Sequence, residues 1–284
     1  KFLVAPLIGL LLLSACSSDP KARRQKFLET GNKYFANKEY KQAAFSYRRS
    51  IKADPQFAEA YYRLGLASIE TASWPDAIGA LRRAFTLDSS NTDAGAKLAE
   101  IYMIATSQDP RRAKQFGLEI QDVSDKMLAK DPKSFDGLRL AAFLDISQGK
   151  IEDAIKKYEA ANQVKPNRPE VTIPLAQSLL NRGRAAEAET LALEQIKGNK
   201  NSPAFYDLLY SMYYRAKRFD DGEKIIRQKI SNTGNNDFRL QLAAHYFMMQ
   251  RRDEMEKALK EITELKDYPQ GHIKVGDFFL SLRE

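Results

Sequence analysis

The chain has 284 residues, 43% hydrophobic and 29% charged, a balance that suits one or two folded domains or a single elongated repeat domain. Its 14 Gly and 11 Pro are too few for low complexity. The net charge of +8 comes from 45 Lys and Arg against 37 Asp and Glu. These are interspersed along the chain, without the concentrated basic stripe of a nucleic-acid binder.

From the N-terminus, Phe2 to Ala15 reads FLVAPLIGLLLLSA, without a charge. A membrane-spanning helix needs about 20 such residues, so the shorter run fits the apolar core of a signal peptide. It ends in Leu13-Ser14-Ala15-Cys16, and Ser17-Ser18-Asp19-Pro20 follows at once as a breaker. The arrangement resembles the bacterial lipobox. That resemblance implies cleavage before Cys16, with lipid on its sulfur and on the new N-terminus. Ser rather than Asp at position 17 implies sorting to the outer membrane, facing the periplasm. One acyl chain holds only marginally, at about 0.8 kcal/mol per buried methylene, so several would make the tether durable. Residues 1–15 are thus expected to be a signal peptide and 16–23 a lipidated cysteine with a short tether. Because residue 1 is Lys, the first few residues of the signal are expected to be missing.

From residue 24 onward a period governs the chain. Small residues that open apolar helices recur at Ala43, Ala77, Ala154, Ala188 and Gly222. The steps are 34 residues except one of 77, which is a 34 and a 43. Three residues earlier stand bulky groups, Tyr40, Trp74, Ile151 and Phe219, with Ala185 the exception. Twelve earlier stand Gly31, Gly65, Ala142, Ala176 and Tyr210. Small residues let two antiparallel helices approach closely, while bulky ones fill the space between hairpins. This frame resembles the tetratricopeptide repeat. The resemblance implies an all-α, right-handed α-solenoid over residues 24–284, with about seven hairpins and the first helix of an eighth.

Two units depart from the frame. The third carries about nine extra residues around Asp109-Pro110, and Pro110 suits the first turn of a helix, so a long second helix is expected over 111–130. The seventh has Glu256 where the small residue should stand. The last segment reads as a first helix with apolar Ile273, Val275, Phe279 and Leu282. A solenoid needs a polar capping face, so the natural chain is expected to continue or a partner to cover this helix.

Little in the sequence points to chemistry. The single cysteine, Cys16, and two histidines, His245 and His272, allow neither an intrachain disulfide nor a four-ligand Cys/His zinc site. There is no Gly-rich phosphate loop, no GxSxG elbow and no HExxH. No catalytic residue, metal or cofactor is expected. In tetratricopeptide proteins the first helix of each hairpin lines a concave surface. Carried onto this frame, the partner-binding candidates are Asn32, Tyr62, Arg139, Gln177, Tyr214 and His245, side-chain types that suit peptide recognition. Phe143, Ile173 and Leu180 read as core instead. The family's carboxylate clamp needs a Lys where Leu28 stands, so it is not expected.

A lipobox followed by these repeats resembles lipoproteins of Gram-negative-type bacteria that serve type IV pilus assembly or exopolysaccharide and PEP-CTERM systems. It implies a non-enzymatic, membrane-anchored scaffold with a protein or peptide partner in the cell envelope and no nucleic acid. Two alternatives stay open: the substrate-binding arm of an enzyme whose catalytic domain lies beyond residue 284, or a polysaccharide-export scaffold.

Overall fold

The period of the sequence becomes a period of turns. A computed structural model describes residues 19–282, and every regular element among them is a helix. Leu13, Ser14, Ala15 and Cys16 lie outside the described residues. No described helix is long and apolar enough to cross a membrane. The chain divides into two units at the Lys130–Asp131 boundary.

The first unit holds α1 (Pro20–Ala36), α2 (Tyr40–Ala53), α3 (Ala58–Glu70), α4 (Trp74–Leu87), α5 (Thr92–Gln108) and α6 (Ala113–Lys130), with a 3-10 turn at Pro110–Arg112. The second holds α7 (Phe135–Ser147), α8 (Ile151–Val164), α9 (Pro169–Asn181), α10 (Ala185–Gly198), α11 (Pro203–Arg215), α12 (Phe219–Thr233), α13 (Phe238–Met248), α14 (Arg252–Thr263) and α15 (Gly271–Ser281). Within each unit every helix packs on the next in sequence, which makes each an α-solenoid of helical hairpins.

Six hairpins turn by the same device. Lys38, Ala72, Gly149, Gly183, Lys217 and Gln250 take left-handed φ values between 54° and 75°. In the first, the Lys38 N–H donates to the Phe35 carbonyl and the Glu39 N–H to the Tyr34 carbonyl, each at 2.9 Å. The pattern recurs in the other five. It satisfies carbonyls that a helix end leaves orphaned.

The spacing of these turns corrects the frame at its end. Gln250 follows Lys217 by 33 residues, not 34. The buried residues Leu209, Met212 and Tyr213 are matched, each 33 later, by Leu242, His245 and Tyr246. The seventh hairpin has therefore lost one residue rather than its packing rule. The connector keeps four residues; α12, capped by Gly234 at φ 64°, is one residue longer than α8 and α10, and α13 is two shorter than α11. Met255 is buried in the small-residue position, and Glu256 points outward to pair with Arg252 at 3.0 Å.

The third hairpin also differs from expectation. The extra residues are shared between its two arms: α5 is four residues longer than α3, and α6 four longer than α4. The second helix starts at Ala113, because Pro110–Arg112 forms the 3-10 turn.

Close approach of paired helices is built from size complementarity. Ala43, Ala77, Ala154 and Ala188 have no exposed surface, and Gly222 is buried. A Cβ on Gly31 would lie 2.5 Å from the Tyr47 ring, and one on Gly65 would lie 2.6 Å from Leu81 Cγ. In the sixth hairpin the sizes are exchanged: Tyr210 stands on the first helix and Gly222 faces its ring.

Between hairpins the second unit repeats a polar clasp. The Tyr213 hydroxyl donates to Glu189 at 2.9 Å, and Arg218 pairs with the same carboxylate at 2.8 Å while lying 4.4 Å above the Tyr213 ring. One hairpin later, Tyr246 donates to Glu223 at 2.7 Å, and Arg251 pairs with it at 2.8 Å from 4.7 Å above the Tyr246 ring. At the end of the unit, Val275, Phe278, Phe279 and Leu282 of the last helical segment pack on the α13–α14 core, and Ile273 and Leu280 are exposed.

Candidate functional site

In the second unit, each first helix buries the face that meets its partner and leaves a second line of residues turned away from it. On α9 and α11 this line includes Gln177, Leu180, Ser211 and Tyr214. Between these helices lies a cleft of about 330 Å³, lined by Gln177, Leu180, Asn181, Leu208, Ser211 and Arg215 among others. Gln177 is exposed, and its Nε2 donates to Asn181 at 3.3 Å. Tyr214 is 41% exposed; its ring meets Phe219 edge to face at 5.8 Å and lies 6.2 Å from Tyr210.

The one-residue shift changes which α13 residues continue this line. Counting 33 from Ser211 and Tyr214 gives Ala244 and Phe247, and Phe247 is exposed. His245, predicted to face the groove, takes the place of buried Met212 and is 1% exposed. Its Nδ1 lies 3.3 Å from the Tyr210 hydroxyl, and its ring meets those of Tyr210 and Tyr246 edge to face. Burial holds its pKa below the ordinary histidine value. His245 is thus a packing residue.

Arg139 is likewise withdrawn from solvent. It is 5% exposed and pairs with Asp136, one turn earlier on α7, at 3.1 Å. Asp207, in the same frame position on α11, receives the ammonium of Lys229 at 2.6 Å. That lysine is buried from α12, also donates to Gln241 at 3.0 Å, and lies 3.7 Å above the Phe238 ring. The Asp207–Lys229 pair, together with Gln241, joins three helices and was not anticipated from the sequence.

In the first unit, Asn32 is half-buried and accepts a hydrogen bond from the Tyr47 hydroxyl at 2.9 Å, so it fixes the ring that Gly31 accommodates. Tyr62 is half-buried, with Arg63 5.8 Å from its ring centre. Burial, reinforced by Asp93, raises its pKa. Leu28 is buried, and Phe35 packs edge to face on Tyr40 at 5.2 Å. Of the six predicted contact residues, the structure leaves Gln177 and Tyr214 on an open face, Asn32 and Tyr62 half-covered, and Arg139 and His245 inside. No group of three or more His, Cys, Asp or Glu among the described residues is placed to hold a metal.

Residues 14–171 match the family described as Cytochrome c-type biogenesis protein H TPR domain, and residues 145–211 match a tetratricopeptide repeat family. The type IV pilus assembly protein PilF of Pseudomonas aeruginosa is 26% identical over 181 residues, covering 61% of this chain and 68% of PilF. A serine/threonine-protein phosphatase T of Aspergillus oryzae is 24% identical over 119 residues, which is 41% of this chain and 24% of that relative. Among solved structures, a tetratricopeptide repeat protein from Parabacteroides merdae superposes with a TM-score of 0.63 at 11% identity, covering 92% of this chain and 99% of the other. The thermophilic TPR protein TTC0263 of Thermus thermophilus gives 0.53 at 19% identity, covering 67% and 99%. At these identities the superpositions show the fold alone.

Proposed function

The chain belongs to the tetratricopeptide-repeat family of the cytochrome c-type biogenesis protein H TPR domain, and from that premise we propose that it is a lipid-tethered scaffold. In this reading the groove of the second unit binds a peptide or protein segment in cell-envelope assembly, and no catalytic role is assigned to the chain. The observation that carries the groove is that Gln177, which lines the α9–α11 cleft, Tyr214 and Phe247 are all exposed on successive first helices. Large aromatic side chains held at low entropic cost beside small polar groups are the composition of a binding hot spot. The likeness to a type IV pilus assembly protein supports the envelope setting, and the lipobox around Cys16 supports the tether.

Two experiments test the two halves. A photo-crosslinking amino acid at Tyr214 in cells should give one dominant protein adduct, lost on Gln177→Ala/Phe247→Ala, while the same group at exposed Lys156 should not. Equal adducts at both positions would refute the groove. Radiolabelled palmitate should enter the wild-type protein and not Cys16→Ser; equal labelling of both would remove the tether.

A further inference from the structure

We propose that the third hairpin carries a second docking site, separate from the groove, for an acidic peptide segment that seats a bulky apolar side chain beside Trp74 and places a carboxylate on Arg112. The site is a cleft of about 420 Å³ in the first unit, between α4 and the lengthened α5–α6 hairpin. Its apolar wall is Trp74, Ile78, Ile101, Ile104 and Phe116. Trp74 is 48% exposed and Ile104 56% exposed, so the wall faces solvent at its mouth.

The repeat frame explains why a cleft opens here. Ile78 directly follows the marker Ala77, as Glu189 follows Ala188 and Glu223 follows Gly222. Tyr102 stands on the next first helix, where Tyr213 and Tyr246 stand at the later junctions. At those junctions the acid, the tyrosine and an arginine close the seam as a clasp. With Ile78 in place of the acid the clasp cannot form, and the Tyr102 hydroxyl is taken by Arg82 instead. The four extra residues at the end of α5, the 3-10 turn and the lengthened α6 then raise walls around the open seam, adding Gln108, Arg112 and Phe116 respectively. Ile155 likewise follows Ala154 at the α8–α9 junction, where it is buried. The lengthened third hairpin is therefore what distinguishes this seam and leaves its apolar surface exposed at one place, and such a patch marks an interaction site.

Charge selects the occupant. Arg82 is already engaged by Glu119 at 3.1 Å as well as by Tyr102. Arg112 has no carboxylate partner among the described residues. It lies 4.7 Å over the Phe116 ring and reaches only the Gln115 amide oxygen, at 3.4 Å from two of its nitrogens. A guanidinium placed over an aromatic ring and met only by one long amide contact is positioned to take a carboxylate. The occupant is therefore a protein segment with a leucine or aromatic side chain next to Asp or Glu.

Trp74 is the chain's single tryptophan, so its emission reports the site directly. The full chain is titrated with three eight-residue peptide pools: acidic-apolar (Asp, Glu, Leu, Phe), basic-apolar (Lys, Arg, Leu, Phe) and acidic-polar (Asp, Glu, Ser, Gln). The acidic-apolar pool alone should shift Trp74 emission saturably. Arg112→Glu should weaken that response about tenfold or more and admit the basic pool. Ile78→Glu should abolish it, with Ile104→Glu, at an exposed position, covering the case in which the first variant fails to fold. Tyr214→Ala should leave it unchanged, which separates this site from the groove. The proposal is overturned if no pool shifts the emission or if the basic pool binds wild type equally. It is also overturned if Arg112→Glu changes nothing, or if the emission shifts with protein concentration alone, which would mark a second copy as the occupant.

Discussion

Gly31→Ala should destabilise the first unit, whereas the same change at Gly79 should stabilise it. Both glycines lie inside helices, α1 and α4, so both substitutions gain about 1 kcal/mol of helix propensity. Their surroundings differ. A Cβ at Gly79 meets nothing within 4 Å, while one at Gly31 would lie 2.5 and 2.6 Å from Cε1 and Cδ1 of Tyr47. That ring is fully buried, and its hydroxyl is held by Asn32, so it cannot swing aside without losing a hydrogen bond. Overpacking of this kind costs about 1–3 kcal/mol, and the lost hydrogen bond adds about 1 kcal/mol. Net of propensity, Gly31→Ala should cost about 1–3 kcal/mol and Gly79→Ala should gain up to about 1 kcal/mol. Urea unfolding followed by Trp74 emission reads the same unit, and at about 1–3 kcal/mol per molar urea the two midpoints should separate by about 1 M or more. Gly31→Ala/Tyr47→Leu should recover part of the loss relative to the sum of the single changes. If the two glycine variants shift the midpoint alike, close helix approach is not what requires glycine in this frame.

Ala72 turns its hairpin at φ 54°, where a Cβ costs about 1–2 kcal/mol. Ala72→Gly should therefore stabilise by about 1 kcal/mol, and Gly183→Ala, at the equivalent turn, should destabilise by a similar amount, both read by thermal unfolding. Asp207→Ala should destabilise the second unit by about 2 kcal/mol, less than for a fully buried pair because Asp207 is half exposed. Adding Lys229→Met should restore most of the loss, and no rescue would show that the pair does not join these helices. Burial would raise the Glu223 carboxyl, but hydrogen bonds from Tyr246, Arg227 and Arg251 outweigh it and hold the pKa at about 2, against 4.5 when unfolded. The resulting stability is fully present above pH 4.5 and is lost as the pH falls towards 2. The melting temperatures of wild type and Glu223→Gln should converge across that window, and a gap independent of pH would refute the assignment.

The parts of the fold that recur were legible in the sequence. Ala43, Ala77, Ala154 and Ala188 occupy one packing position because the same close approach is made at each hairpin, and steric demand repeats with the chain. The one-residue loss before Leu242 has no counterpart in the small-residue pattern, because the marker there is Met255, which no small-residue rule selects. The signal was nonetheless present: Tyr213, Glu189 and Arg218 have counterparts Tyr246, Glu223 and Arg251 at steps of 33, 34 and 33. Following that polar trio rather than the apolar markers would have moved His245 into the core and Phe247 into the groove. The burial of Arg139 had no such signal, since a surface arginine and one folded back onto Asp136 read alike in sequence.

A repeat frame explains best those residues that every hairpin shares, and for that reason it says least about binding. What recurs is accounted for by packing. In the second unit, Tyr213 and Tyr246 are tied to carboxylates that close the seams between hairpins, which leaves Tyr214 and Phe247, beside them in sequence, facing out. In the first unit, Ile78 replaces the acid, and the lengthened hairpin surrounds the gap with apolar side chains instead of filling it. A junction that only had to hold two hairpins together could close over its isoleucine, as the α8–α9 junction does over Ile155, because leaving Trp74 half in water forgoes burial worth about 25 cal/mol per Å² of apolar surface. The insertion therefore makes better physical sense as a surface that gains its burial from a partner, and Arg112, lacking an internal carboxylate, sets the charge that partner must bring.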